Sequence, residues 1–297
     1  MEAPWRKIAI IGGTGKMGSW FARQFSQLGF EVYISSRSHV KARRTARKLG
    51  VKPLKIEEVA AADLVLLSTP IPITPELALK VAGFMRRGAV LADIASIKTG
   101  VVEALEKAVK QFKVKAVSLH PMFGPGAESL KGQRIIVIPV KGSLSTAKLM
   151  AGFLRAAGSK VVVASTAALH DKMMALTLAL PHFLNILFGA TLTAGKIPVR
   201  KLGNFAGTTF QLQKVICESV SQEDPETYAS IQMFNPYFLE VLNSLLEEAS
   251  KLKEAVEKGS LEKIVEVFRR VSGFLAKDPE YREAYKRFYA ALKALSG

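Results

Sequence analysis

An apolar run at residues 7–12 leads straight into Gly13-Thr14-Gly15-Lys16-Met17-Gly18, and a helical pattern opens inside that turn. A strand that ends in GxGxxG and turns at once into a helix is the opening of a βαβ unit built to face a phosphate. The glycines let the chain turn, let the backbone approach a pyrophosphate and let helix and strand pack closely. Gly13, Thr14, Gly15, Lys16, Met17 and Gly18 are therefore assigned to a dinucleotide. The alternative is a glycine-rich turn with no ligand.

The rest of the first half continues the pattern. Val- and Ile-rich runs at 31–36, 64–69, 89–96, 115–120, 134–140 and 160–165 alternate with helical segments at 16–28, 40–49, 75–85, 101–111 and 144–156. Such alternation predicts a mostly parallel sheet covered on both faces, with right-handed crossovers, in a doubly wound α/β Rossmann-type domain. After residue 165 the strand signal stops. Helical periodicity then covers 172–194, 209–221, 225–257, 261–275 and 279–295. The sequence thus predicts a dinucleotide-binding domain at 1–165 and an all-α domain at 166–297, with no Gly/Ser- or Pro-rich linker between them.

Composition narrows the function class. A lone Cys217 excludes a disulfide framework and any multi-cysteine metal site, and no metal is expected. The formal charge of +17 reads as a solvated basic surface or as attraction for anionic small molecules. No finger, zipper or aromatic-interleaved basic motif supports a nucleic-acid partner. The start of the chain has no signal-peptide layout, so a cytoplasmic enzyme is expected. Residues 173–195 hold no charged side chain and are long enough to span a bilayer. Pro181, His182, Asn185 and three threonines within them favour a helix buried in a domain or subunit core, not a membrane span.

The end of the second strand selects the cofactor. An acidic residue there would bind the ribose 2′-hydroxyl of NAD. The chain instead reads Ser35-Ser36-Arg37-Ser38-His39, and no carboxylate lies between Val32 and Gly50. Ser36, Arg37 and Lys41 suit a 2′-phosphate, so NADP is expected before NAD. The alternative for Lys41, Arg43, Arg44, Arg47 and Lys48 is a solvated helix face.

Of four histidines, His39 lies by the adenosine end, and His170 and His182 belong to the helical half. His120 ends a strand in His120-Pro121-Met122-Phe123-Gly124-Pro125-Gly126, where ligands of open parallel sheets bind. It is the candidate general base, with Ser96 ending the preceding strand. A turn histidine bonded to backbone is the alternative.

These segments resemble the prephenate dehydrogenase family, which includes arogenate and cyclohexadienyl dehydrogenases. The resemblance runs from Gly12 to Gly18 with Trp20-Phe21-Ala22, through Ser68-Thr69-Pro70, Asp93-Ile94-Ala95-Ser96-Ile97-Lys98 and the HPMFGP segment. It continues at His170-Asp171, Pro181-His182-Phe183 and residues 224–233. It implies a Rossmann-type domain followed by a helical domain that forms a homodimer. It implies oxidative decarboxylation of a small anionic 4-hydroxycyclohexadiene acid to an aromatic acid, as in tyrosine biosynthesis. It further implies that His120 accepts the ring hydroxyl's proton, that Ser96 bonds that hydroxyl or His120, and that His182 and Tyr228 stand on the substrate side. Thr69 and Pro70 are assigned by the same match to the cofactor.

One position departs from the family. Related sequences carry an arginine for the substrate carboxylate six residues before the Pro matching Pro225, and here that residue is Ser219. Lys214, Arg200 and Lys201 are the candidate replacements, Lys214 first. Two alternatives stay open: a reductase or dehydrogenase of the same architecture acting on another small acid, and a cofactor-binding regulator without turnover.

Overall fold

The computed structural model describes residues 4–295, so the outermost residues of both expected domains lie outside the described residues. Eight strands form one sheet: β1 (Lys7–Ile11), β2 (Glu31–Ser35), β3 (Lys52–Pro53), β4 (Leu64–Leu67), β5 (Val90–Asp93), β6 (Lys115–Pro121), β7 (Arg134–Pro139) and β8 (Lys160–Val163). Their order is β3-β2-β1-β4-β5-β6-β7-β8, and every pairing is parallel except β6 with β7. The strand order therefore reverses direction between β1 and β4, which is the topological switch point where such sheets bind ligands. The short β3 has no counterpart among the expected strands. Two residues are too few for a periodic signal, and Pro53 fits only because β3 is an edge.

Alternation along the strands divides the core. Ile8, Ile10, Leu64, Leu66, Val90, Ala92, Val117, Leu119, Ile135 and Val137 join one buried cluster with Trp20, Phe21 and Phe25 of α1 (Lys16–Gln27). Ala46 of α2 (His39–Leu49) belongs to the same cluster. The intervening residues point to the other face. There α3 (Thr74–Ala82) and α4 (Val101–Phe112) pack on each other and on β5 and β6. On this second face the row Asp93, Ser118 and His120 is polar yet buried. On the first face α5 (Leu144–Ala156) contributes Ala147, Met150, Ala151 and Leu154.

The compact units do not divide at residue 165. The first unit runs through Met174 and takes back Ala229–Pro236; the second is Ala175–Tyr228 with Tyr237–Gly297. Thus α6 (Ala167–Met174), with His170, belongs with the sheet.

The second unit is helical. It contains a π-helical turn (Ala175–Ala179), α7 (Leu180–Ala194), α8 (Val199–Gly203) and α9 (Thr208–Ser221). After α10 (Pro225–Phe234) come α11 (Phe238–Glu257), α12 (Leu261–Leu275) and α13 (Ala284–Leu295). The single helix expected over 225–257 is broken between α10 and α11, because Pro236 has no N–H to continue the ladder. In this unit α7 packs on α9 and α11, α11 on α12, and α13 on α9.

Of the two expected settings for residues 173–195, a domain core or a subunit core, the protomer does not supply the first in full. Leu176, Leu184, Ile186 and Leu187 are 39–49% exposed. An α-helix with apolar residues around its circumference cannot hide them all against the two helices it packs on, α9 and α11. By length and composition Ala167–Ala194 also meets the requirement for crossing a membrane.

Candidate active site at the carboxyl ends of the strands

The glycine turn at the end of β1 is packed to contact. Gly12 and Gly13 both donate their N–H to the Ser35 carbonyl at the end of β2, at 2.9 and 3.1 Å. Gly12 has φ +81°, and a Cβ there would stand 2.1 Å from the Ser68 carbonyl oxygen. A Cβ on Gly13 would meet Ile34 at 2.6 Å, and one on Gly18 the Gly12 oxygen at 2.4 Å. Gly15 differs: it is exposed, caps α1 before a first turn free of acidic residues, and a Cβ there would meet only the Gly12 oxygen, at 3.4 Å. The turn thus fits a dinucleotide's pyrophosphate, with Lys16 and Met17 opening the helix and Thr14 half-buried in the turn.

The neighbouring strand ends frame this turn. Thr69 follows β4, with its Cγ2 3.1 Å from where a Gly12 Cβ would be; exposed Pro70 comes next. After β2, the Ser36 hydroxyl donates to the Ser38 carbonyl at 2.8 Å, and Ser38 caps α2 by accepting from the Lys41 N–H. Ser36 is partly committed to its own loop, while the Arg37 and Lys41 side chains are exposed.

A buried polar cluster surrounds His120 at the end of β6. His120 is 3% exposed, and its Nδ1 lies 2.9 Å from Nε2 of His170. Nδ1 of His170 lies 2.8 Å from Asp171 Oδ1. Asp171 also accepts from the Lys98 N–H at 2.9 Å and from both the N–H and hydroxyl of Thr99 at 2.7 Å. Lys98 is fully buried: its Nζ donates to Asp93 Oδ1 at 2.7 Å and to the Leu119 carbonyl at 2.6 Å. It therefore grips the residue before His120 with its ammonium and the carboxylate behind His170 with its backbone. Ser96, half-buried between them in sequence, makes no hydrogen bond to His120; the imidazole's partner is His170. Of the two expected roles of Ser96, a bond to His120 is not formed here, where His120 turns its Nδ1 toward α6, and a bond to the substrate hydroxyl stays open.

Electrostatics set the protonation of this cluster. Burial, with the fields of His170 and Lys98, holds His120 well below its ordinary value, so the imidazole is neutral at pH 7. Burial lowers His170 as well, against the opposing pull of Asp171. Burial would raise Asp171, but the bonds from His170, Thr99 and Lys98 outweigh it and keep the carboxylate ionised. Asp93 Oδ2 and the Ser118 hydroxyl are buried without a protein partner.

The second unit holds the other expected residues. The His182 and Tyr228 rings are 4.2 Å apart at 57°. His182 Nδ1 is buried and unpartnered, and burial lowers its pKa to about 4, so it is a neutral group. Lys214 is elsewhere. It pairs with Glu218 at 3.3 Å and lines a cavity of about 180 Å³ with Phe188, Leu192 and Thr193. Phe188 of that lining stands six residues, about 9 Å of helix, along α7 from His182, and the ion pair of Lys214 is with Glu218. Arg200, Lys201 and Ser219 are exposed. A groove of about 1340 Å³ lies by Trp5, Lys7, Phe30 and Glu31 at the amino ends of β1 and β2, away from the carboxyl ends, and contains no site residue.

Sequence reading missed the supporting set of His170, Asp171, Lys98 and Asp93. A faint signal existed. Asp93 and Lys98 are the two charges bracketing Ser96, and His170-Asp171 heads an otherwise charge-poor helix.

The chain matches "Prephenate dehydrogenase, nucleotide-binding domain" over residues 21–164 and "Prephenate dehydrogenase, dimerization domain" over 166–270. It is 33% identical to the probable arogenate/prephenate dehydrogenase of Methanocaldococcus jannaschii over 89% of this chain, and spans only 60% of that relative's length. It is 28% identical to the 4-amino-4-deoxyprephenate dehydrogenase of Streptomyces pristinaespiralis, over 96% of this chain and 97% of the other. The fold matches crystalline Aquifex aeolicus prephenate dehydrogenase, which carries hydroxyphenyl propionate and NAD+, with a TM-score of 0.74 at 22% identity. That match covers 92% of this chain and 98% of the other.

Proposed function

The chain belongs to the prephenate dehydrogenase family, and from that premise we propose that it oxidatively decarboxylates prephenate or arogenate, with NADP, in tyrosine formation. The observation that carries this reading is His120: a buried imidazole, kept neutral by its surroundings, at the end of β6. A neutral imidazole is the group needed to take a ring-hydroxyl proton. Nicotinamide bound beyond the glycine turn supplies the hydride acceptor. Ser96, not bonded to His120, is free to bond the substrate hydroxyl.

His182 and Tyr228 are assigned to the substrate by their family positions. With His182 neutral, they offer hydrogen bonds and ring surface but no cation. The carboxylate partner is sought among Arg200, Lys201 and Lys214, of which Lys214 is already engaged by Glu218. NADP preference rests on the missing acid after β2 and on Arg37 and Lys41. The protein is assigned to the cytoplasm as a homodimer through the second unit, where a dimerization-domain match coincides with exposed Leu184, Ile186 and Leu187.

A second reading keeps the chemistry and changes the ring substituent. It draws on the near full-length match to the aminodeoxyprephenate enzyme and on Ser219. The deciding experiment is turnover of prephenate, arogenate and 4-amino-4-deoxyprephenate, each with NAD and NADP. Reduction of NADP with prephenate or arogenate is expected; no reduction with either would overturn the proposal.

A further inference from the structure

We propose that Asp171, acting through His170, fixes the tautomer of His120 so that a bare Nε2 faces the substrate, and that the same pair holds His120 as imidazolium while it stores the substrate's proton. This rests on the reaction proposed above, but the tautomer itself follows from geometry.

The Asp171 carboxylate sets the direction of the whole hydrogen-bond chain. Every other group on Asp171 is a donor: Lys98 N–H on Oδ1, Thr99 N–H and hydroxyl on Oδ2. An ionised carboxylate only accepts, so at 2.8 Å the Nδ1 of His170 must carry hydrogen. His170 is neutral, so its Nε2 is a lone pair. That lone pair stands 2.9 Å from Nδ1 of His120. Two lone pairs at that distance repel, so the His120 Nδ1 carries hydrogen and donates it. A neutral imidazole has only one N–H, which leaves Nε2 of His120 bare.

Two anchors keep the line straight. The Asn235 amide donates to the Asp171 carbonyl at 2.8 Å, and Lys98 Nζ holds the Leu119 carbonyl. The charged groups around the two imidazoles are Asp93 and Lys98 from the end of β5 and Asp171 from α6.

Charge balance explains why a proton store is needed. The ring O–H bond breaks and its proton bonds to His120 Nε2. The ring C–H pair leaves as hydride to the nicotinamide, giving a ring ketone. The bond to the ring carboxylate then breaks, CO2 departs, and its electron pair aromatises the ring and places negative charge on the oxygen. The proton returns from Nε2 to that oxygen. No proton is released overall, so no exit route is required. His120 must instead carry a positive charge briefly in a buried place, which a donor bond to His170, backed by anionic Asp171, makes tolerable. His170 and Asp171 are positioning residues; neither touches the substrate.

Four histidines make the test direct. In protein labelled with 15N-histidine, long-range proton–nitrogen NMR with single His variants for assignment should show His120 and His170 both protonated at Nδ1. His120 protonated at Nε2 would overturn the proposal, whatever the enzyme turns over. His170→Leu removes the acceptor and should lower kcat by about 10²-fold or more, with substrate KM and cofactor Kd nearly unchanged. His170→Gln keeps a carbonyl acceptor and should restore kcat to within about tenfold of wild type. Wild-type kcat in His170→Leu, or equal losses in kcat and cofactor binding in both variants, would also overturn it. Wild-type protein that reduces no cofactor with any substrate, yet shows the stated tautomers, would defeat the proposed reaction and leave the tautomer assignment standing.

Discussion

Nδ1 of His120 and Nε2 of His170 stand 2.9 Å apart although fifty residues separate them in sequence. The contact turns a strand-end histidine into a group with one nitrogen committed and one available. His120→Asn should retain cofactor affinity and lose about 10²–10⁴ in kcat. Because the base works when neutral and its surroundings lower its pKa, wild-type kcat should stay level as pH falls through 6.5 and drop only at lower pH. Steady-state rates from pH 5 to 8 check both; unchanged turnover in the variant would remove His120 from the reaction.

Lys98 and Asp93 form an ion pair with no exposed side-chain surface, and one oxygen of Asp93 already lacks a partner. Lys98→Met leaves that carboxylate buried without its cation. The expected cost is about 3–5 kcal/mol of stability, read from the denaturant midpoint. A loss below about 1 kcal/mol, the range of exposed pairs, would show that water reaches Asp93 and that the pair is not a buried clamp.

Arg37 is exposed one residue beyond Ser36, and no acid competes with it after β2. Arg37→Ala should weaken NADP by about 1.5–3 kcal/mol, roughly tenfold or more, and leave NAD almost unchanged. Titration of both cofactors against both proteins decides it. Wild-type protein that binds NAD as tightly as NADP contradicts the preference.

His182 is lowered to about 4 by burial. The unfolded chain binds a proton there from pH 6.5 downward while the folded chain resists, so stability present above pH 6.5 is lost as pH falls toward 4. His120 and His170, also lowered, act in the same direction. His182→Phe keeps a ring against Tyr228 and should reduce the fall in denaturation midpoint between pH 7 and 4.5. An unaltered slope would mean that the folded protein protonates His182 freely.

Leu176, Leu184, Ile186 and Leu187 are too apolar and too exposed for a protomer surface in water. Sedimentation at micromolar concentration should give a dimer, and Ile186→Lys with Leu187→Glu should shift it toward monomer. A monomeric wild type would refute the assembly.

Sequence determined the parts of this protein that are local. The glycine turn, the strand–helix alternation and the end of β6 at His120 each show within about a dozen residues, because turn sterics, side-chain alternation and helix initiation are set by near neighbours. The switch to an all-helical second half was legible for the same reason. Tertiary structure alone decided what those parts touch. The partner of His120 comes from α6, the cation beneath it from beyond β5, and the anchor of Asp171 from Asn235 after α10. It also decided that Lys214 serves Glu218 and that α6 belongs with the sheet. Hydrogen bonds and desolvation act across space, and residues distant in the chain become partners only once the core has brought them together. Periodicity places each side chain on a face and cannot say what that face will meet.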